Sequence, residues 1–250
     1  MIHKKRGYTR DIQQDLLRDY RLFAIACEGG KREPQYFKLF EFLSNRIKVD
    51  IIENKIQNQE LLEKFETKSA PKWVLDRAMR YIEQEGLLDE DELWFVMDID
   101  RWSVVQIREI IAYCEDKPNW NIVLSNPCFE VWLYLHKNKN FDNSKLELCN
   151  DFKTEISTFD SGGYNPLNFI TLIKDAVSNA KRLDSNPDSS VPLIRETKVY
   201  KLVESILNFV SEKHFLEFIE KIHPKLIKEN SKKETKLKVN KIKKSVSKKK

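Results

Sequence analysis

The chain of 250 residues is long enough to bury a substantial core, and 33% of its residues are charged, with a formal net charge of +5. No apolar stretch reaches the roughly 20 residues that cross a bilayer, and residues 1–10 lack the apolar segment of a signal peptide, so we expect a cytoplasmic protein without membrane contact. The cysteines are widely spaced and form no Cys-x-x-Cys pair, which predicts reduced thiols and neither a disulfide framework nor a zinc site.

Short apolar runs alternate with helical patterns over the first 140 residues. The runs predict four buried strands, over Leu22–Cys27, Val49–Glu53, Leu93–Met97 and Ile122–Leu124. Apolar residues at helical spacing predict five helices. They begin at Pro34, at Asn58 (ending at Phe65), at Pro71 (ending at Gly86), after a Ser103–Gln106 capping box, and at Pro127. Each proline is placed at the first position of its helix. This alternation predicts an α/β fold with a mostly parallel sheet between helices.

From Phe141 onward the pattern is helical. It predicts helices over Leu167–Arg182, Thr197–Val210 and Glu212–Ile222. Residues 228–250 contain eleven lysines and only two glutamates, which predicts a disordered tail that either binds nucleic acid in a salt-dependent way or stays solvated. We therefore predict four segments: a basic lead-in with a short helix at its end (1–20), an α/β core (21–140), a helical elaboration packed on the core (141–227) and the tail (228–250).

Three carboxylates follow predicted strands. Asp98 and Asp100 come directly after the third strand, and Glu28 comes after the first. Residues i and i+2 of a strand share a face, and the carboxyl ends of parallel strands meet at one edge of the sheet, where ligands bind. Oxygen ligands suit Mg²⁺, so this edge predicts a metal site. In the alternative interpretation, Asp98 only ends the strand and Asp100 belongs to the next turn.

The turn after the fourth strand adds three candidates. Glu130 lies in the first turn of the following helix, where it either completes the metal shell or is favoured by the helix dipole. Ser125 and Asn126 either bind a phosphate or cap that helix, and capping is the favoured interpretation.

The glycine loop after the first strand adds two cations. Lys31 and Arg32 lie beside Glu28, where they can meet a phosphate. Glu33 is expected to support the helix start. His136 lies on an apolar helix face, which favours a core role over that of a catalytic base.

Four sequence blocks together resemble the RloB family. The blocks are Cys27–Phe37 (CEGGKREPQYF), Asp98-Ile99-Asp100, Ser125–His136 (SNPCFEVWLYLH) and Thr197–Glu204 (TKVYKLVE). Each block is weak alone, and their order over most of the chain makes the resemblance specific. It implies a Toprim-like catalytic core over residues 21–140, in which Glu28 acts with the metal or as general acid/base and the pair Asp98 and Asp100 binds Mg²⁺ or Mn²⁺.

The resemblance also implies a biological setting, that of bacterial anti-phage and abortive-infection systems with a partner AAA-type ATPase. The chain has no Gly-x-x-x-x-Gly-Lys-[Ser/Thr] loop, so any ATP use would come from that partner. The chain departs from the family pattern at one point: Gly162-Gly163-Tyr164 continues into Asn165-Pro166, where a lysine is expected. This departure would slow cleavage, shift binding to the tail or indicate another substrate.

The first functional hypothesis is therefore a Mg²⁺-dependent nuclease acting on DNA or RNA, with tRNA among the candidates. A non-catalytic, nucleic-acid-binding sensor or adaptor for the ATPase is the alternative, and hydrolysis of a small nucleotide signal is the third. Topoisomerase and primase activities need further domains for which the chain has no room. Assembly into a homo-oligomer is left open.

Overall fold

The computed structural model describes residues 19–52, 71–99, 104–141, 146–159 and 164–232. Four predictions fall outside this part of the chain: the basic lead-in up to residue 18, the helix over Asn58–Phe65, the Ser103 capping box and the lysine-rich tail from residue 233 onward. Asp100 and the glycine pair Gly162 and Gly163 also lie outside it.

Four strands form one parallel sheet in the order β2-β1-β3-β4. The strands are β1 (Arg21–Cys27), β2 (Ile47–Ile51), β3 (Glu92–Asp98) and β4 (Trp120–Ser125). The central strands β1 and β3 are buried along nearly their whole length, as expected of parallel strands covered on both faces. This confirms the predicted α/β fold class. β2 begins at Ile47 rather than Val49 because Ile47 pairs with Arg21, the first residue of β1.

Helices cover both faces of the sheet. They are α1 (Arg32–Phe37), which continues as a 3₁₀ turn over Lys38–Phe42, α2 (Pro71–Glu85), α3 (Val104–Glu115), α4 (Glu130–Tyr134), α5 (Cys149–Thr158), α6 (Leu167–Ile170), α7 (Ile173–Leu183), α8 (Val199–Leu207) and α9 (Glu212–Glu217). Within the described ranges, no helix has the length and apolar character required to traverse a bilayer.

Two apolar clusters hold these layers together. On one face, α2 and α3 pack against the sheet through residues such as Val74 and Ile107. On the other face, aromatic side chains of α1 and α4, among them Tyr36 and Trp132, join the helices that follow residue 146. His136 belongs to this second cluster: it is 3% exposed and its Nε2 lies 2.8 Å from the Tyr36 hydroxyl. Burial lowers the pKa of His136 to about 3, which confirms the predicted core role of this residue.

Several helix boundaries differ from the predictions. Gly86 ends α2 with a φ of 72°, as predicted, but Pro34 is the third residue of α1 rather than the first. The single helix predicted over Leu167–Arg182 is interrupted at Leu172, whose N–H bonds to the Phe169 carbonyl three residues back. The last helix passes through a π-helical turn over Phe218–Ile222 and continues to residue 232, so the prediction of disorder is wrong for residues 228–232.

Candidate functional site: the carboxylate edge

The carboxyl ends of β1 and β3 bring Glu28 and Asp98 together. The two strands are adjacent and parallel, with Cys27 opposite Val96, and the Glu28 N–H continues this pairing by donating to the Val96 carbonyl at 2.9 Å. The Asp98 N–H in turn donates to Glu28 Oε2 at 2.9 Å. Parallel pairing thus fixes the Glu28 carboxylate at the end of β3. We call this pair of residues the carboxylate edge. Its third predicted member, Asp100, lies outside the described residues.

The glycine loop wraps a third carboxylate against this edge. The Glu33 carboxylate occupies the position that a Cβ on Gly29 would take, so any side chain at residue 29 would displace this carboxylate. Glu33 is buried, and this burial is the main reason that its pKa rises to about 7. The negative charges of Glu130 and Glu28 raise this pKa further, whereas the residue's own backbone N–H and Arg32 lower it. Glu33 therefore exchanges a proton near neutral pH.

The residue pattern predicted only a supporting role for Glu33 at the helix start. Its burial depends on the contact of its carboxylate with Gly29 and on the surrounding packing, which no periodicity in the sequence reports. The one available signal was its separation from Gly29, since a glycine four residues before a carboxylate permits a close approach that other residues obstruct.

Glu130 is buried beside this group and is already paired. It is 3% exposed, and its Oε1 forms an ion pair with Arg32. Its Oε2 faces Cys149, whose Sγ lies 3.9 Å away. Arg32 thus neutralises Glu130, and its guanidinium also lies over the Tyr164 ring at 5.8 Å. Of the two predicted phosphate-binding cations, Lys31 is exposed and Arg32 is half-buried.

The predicted roles of Ser125 and Asn126 at the helix start do not agree with the structure. The Ser125 hydroxyl is buried and lies 2.8 Å from the hydroxyl of Thr197, which leaves no access for a phosphate. The Asn126 side chain donates to the Pro192 carbonyl at 3.1 Å. Neither residue caps a helix, because α4 begins only at Glu130, without a side-chain cap.

The reason for this difference is a long-range pairing. The Asn126 N–H donates to the Glu196 carbonyl at 3.0 Å, and the Arg195 N–H donates to the Asn126 carbonyl at 2.7 Å. These bonds hold Asn126 in an extended pairing beside the bridge between Ser125 and Thr197. The prediction of a helix that starts at Pro127 is therefore wrong, because this pairing keeps the preceding residue extended.

Arg77 is a residue of this region that the sequence did not single out. It projects from α2, and its Nη2 donates to the carbonyl of Cys27 at 2.8 Å, one residue before Glu28. Burial lowers its pKa, and its Nε is buried without a hydrogen-bond partner among the described residues. Arg77 and two nearby carboxylates act on the thiol of Cys27. Burial is the main cause that raises the pKa of this thiol, and the charges of Glu33 and Asp98 raise it further, whereas Arg77 lowers it. Only the packing of α2 on β1 could reveal this cation.

A cavity of about 510 Å³ lies next to the glycine loop. Lys31 and Lys38 line one side of it, and Tyr164 and Asn165 line another. The Tyr164 hydroxyl donates to the Arg32 carbonyl at 3.1 Å, which holds the segment after the Gly162–Gly163 pair against α1. Asn165, which stands where we expected a lysine, thus shares a cavity with two lysines of another segment.

A scan against models of known protein families matches residues 23–206, most of the chain, to the family described as RloB-like protein. The match includes all four blocks on which the resemblance rests and every candidate residue described above. Searches of the curated proteins and of the solved structures find no significant match to the chain.

Proposed function

This chain belongs to the RloB-like family, and from this membership and the geometry of the carboxylate edge we propose that it is a Mg²⁺-dependent nuclease that hydrolyses phosphodiester bonds in DNA or RNA. The observation that carries the proposal is the bond from the Asp98 N–H to the Glu28 carboxylate at 2.9 Å. It brings the Glu28 carboxylate to the backbone of Asp98, at the edge where parallel sheets bind ligands.

The donor atoms at this edge fit a hard divalent cation. The carboxylates of Glu28 and Asp98 supply only oxygen ligands, which Mg²⁺ and Mn²⁺ accept and softer ions do not require. Asp100, two residues after Asp98, would contribute a third carboxylate. When bound, the ion neutralises phosphate charge and makes an attacking water more acidic. We do not include Glu130 among the ligands of this ion, because its Oε1 is paired with Arg32.

The chain's own groups supply the remaining roles. Glu28 is held in one orientation by the Asp98 N–H, as expected of a residue that orients a water or a ligand. Glu33, with a pKa of about 7, can take a proton from water or return one to the leaving oxygen. Arg77 places positive charge beside Cys27, and the exposed Lys31 is free to approach the phosphate backbone.

We further propose that the chain serves in anti-phage or abortive-infection defence with an AAA-type ATPase. Family membership is the basis of this proposal. The sequence contains no phosphate-binding Gly-x-x-x-x-Gly-Lys-[Ser/Thr] loop, so any ATP use would come from that partner.

The decisive experiment compares purified wild-type protein with the variants Glu28→Gln and Asp98→Asn on DNA, tRNA and bulk RNA, with Mg²⁺ or Mn²⁺ and with or without the neighbouring ATPase. Both variants keep the shape of the side chain, and glutamine can still accept the bond from the Asp98 N–H. We expect each to lose about 10²- to 10⁴-fold in cleavage rate, the range of acid–base and electrostatic contributions. The exposed residue Glu83 on α2 supplies the matched control, Glu83→Gln, which should cleave at the wild-type rate.

Two results would contradict the proposal. Equal cleavage by wild type and both variants would end the assignment of the carboxylate edge. Nucleic-acid binding without any metal-dependent cleavage, unchanged in both variants, would instead identify the chain as a binding adaptor for the ATPase.

A further inference from the structure

A second group of metal-ligating side chains lies beside the carboxylate edge and differs from it chemically. The thiols of Cys128 and Cys149 and the carboxylate of Glu130 place their ligand atoms within 4.8 Å of one another. Cys128 and Glu130 flank the start of α4, and Cys149 is the first residue of α5. We call these three residues the Cys–Glu–Cys cluster. From its geometry and donor set we propose that it is a zinc site.

The distances are close to those of a bound ion. In tetrahedral zinc sites the Zn–S and Zn–O bonds of about 2.3 and 2.1 Å put neighbouring ligand atoms about 3.5–3.8 Å apart. Cys149 Sγ lies 3.9 Å from Glu130 Oε2, and the whole cluster fits within 4.8 Å. Side-chain rotations that shorten the longest of these separations by about 1 Å would complete three ligands.

The donor set selects the ion. Two sulfur ligands disfavour Mg²⁺ and Ca²⁺, which bind through oxygen, whereas a pair of cysteines with a carboxylate suits Zn²⁺. The charges also balance in this buried place. Two thiolates neutralise a divalent ion, and the remaining carboxylate charge of Glu130 is already neutralised by Arg32.

The polar contacts of the cluster without an ion are weak. The partner of Glu130 Oε2 among the described residues is a thiol at 3.9 Å, and the Cys128 thiol reaches the Cys149 carbonyl at the same distance. Thiols are weak donors, so the contacts that these three side chains make with one another contribute little. The Lys153 side chain hydrogen-bonds Cys149 and lies close enough to act on Glu130 and Cys128 as well. A zinc ion would replace these contacts with direct bonds to the three side chains.

A zinc ion here would join three parts of the fold. It would connect the turn after β4 to the start of α5 and, through the ion pair of Glu130 with Arg32, to the glycine loop that carries Glu33. The sequence missed this site because Cys128 and Cys149 are separated by 20 residues and show no zinc-binding spacing.

The inference does not depend on the nuclease proposal, and its test measures metal binding alone. Full-length protein purified under reducing conditions without chelator is analysed for zinc by mass spectrometry, and Co²⁺ is then exchanged into it for absorption spectroscopy. We expect one zinc per chain and a sulfur-to-cobalt charge-transfer band. Cys128→Ser and Cys149→Ser should each weaken zinc binding at least 100-fold, more than the roughly 10- to 100-fold loss caused by removing an outer-sphere partner.

The control variant is Cys114→Ser, since Cys114 lies on α3 and packs on the opposite face of the sheet. It should keep both the zinc and the cobalt band. Should the cysteine variants fail to fold, the wild-type protein still provides a test by alkylation. Zinc should protect the half-buried Cys149 until a chelator removes it, while the reaction of Cys114 stays unchanged. Protein without zinc, cobalt binding without the sulfur band, or equal alkylation with and without chelator would each overturn the proposal.

Discussion

Replacing Glu33 by glutamine should increase the stability of the protein, and the increase should depend on pH. Burial, together with nearby carboxylates, raises the pKa of Glu33 from 4.5 to about 7. At about 1.36 kcal/mol per pKa unit, keeping this group ionised in the folded state costs about 3 kcal/mol. Glutamine fills the same space and carries no charge, so Glu33→Gln removes this cost.

The sign follows from linkage. The pKa of Glu33 is higher in the folded state than in the unfolded chain, so its contribution to stability is complete below the unfolded value of 4.5. This contribution is lost as the pH rises through about 7, because the unfolded chain releases the proton first. The stability advantage of Glu33→Gln should therefore be small at about pH 5 and approach about 3 kcal/mol at about pH 8.

Urea unfolding of both proteins in metal-free buffer, repeated across this pH range, measures the difference directly. Glu83→Gln on the exposed surface of α2 is the control and should follow the wild-type curve. An advantage of Glu33→Gln that is the same at every pH would refute the reasoning, since it would show that the Glu33 carboxylate is not the titrating group. In the nuclease assay, the same variant should lower cleavage near neutral pH.

Three further substitutions test the fold around the site. Lys198→Met should destabilise the protein by about 3–5 kcal/mol in urea unfolding, because Lys198 is buried within 2.6 Å of Asp184 Oδ2 and its loss leaves a buried carboxylate without its cation; a cost below about 1 kcal/mol would contradict this. Gly29→Ala should reduce cleavage much more than it reduces stability, because the new Cβ displaces the Glu33 carboxylate; unchanged cleavage would show that the position of Glu33 is unimportant. Gly86→Ala should cost about 1–2 kcal/mol through its φ of 72° alone, since open space surrounds this glycine, and activity should persist.

The sequence by itself determined the sheet and the edge at which chemistry is expected. Continuous apolar runs such as the one in β3 predict strands that are buried on both faces, and in a parallel sheet all carboxyl ends lie on one side. The convergence of Glu28 with Asp98 follows from these two facts, and the observed bond between them agrees with it. The order of the family blocks was likewise readable from the sequence, because it requires no knowledge of packing.

Only the tertiary structure decided what surrounds that edge. The pKa of Glu33 depends on burial under the glycine loop, and the ion pair of Glu130 with Arg32 joins residues from two different elements. The helix expected at Pro127 starts later in the chain because Asn126 is paired with the segment around Glu196. Periodicity and motif spacing report only local neighbours along the chain. Contacts between residues that are distant in sequence decide which carboxylates are paired, which are buried, and that two separated cysteines meet at one carboxylate.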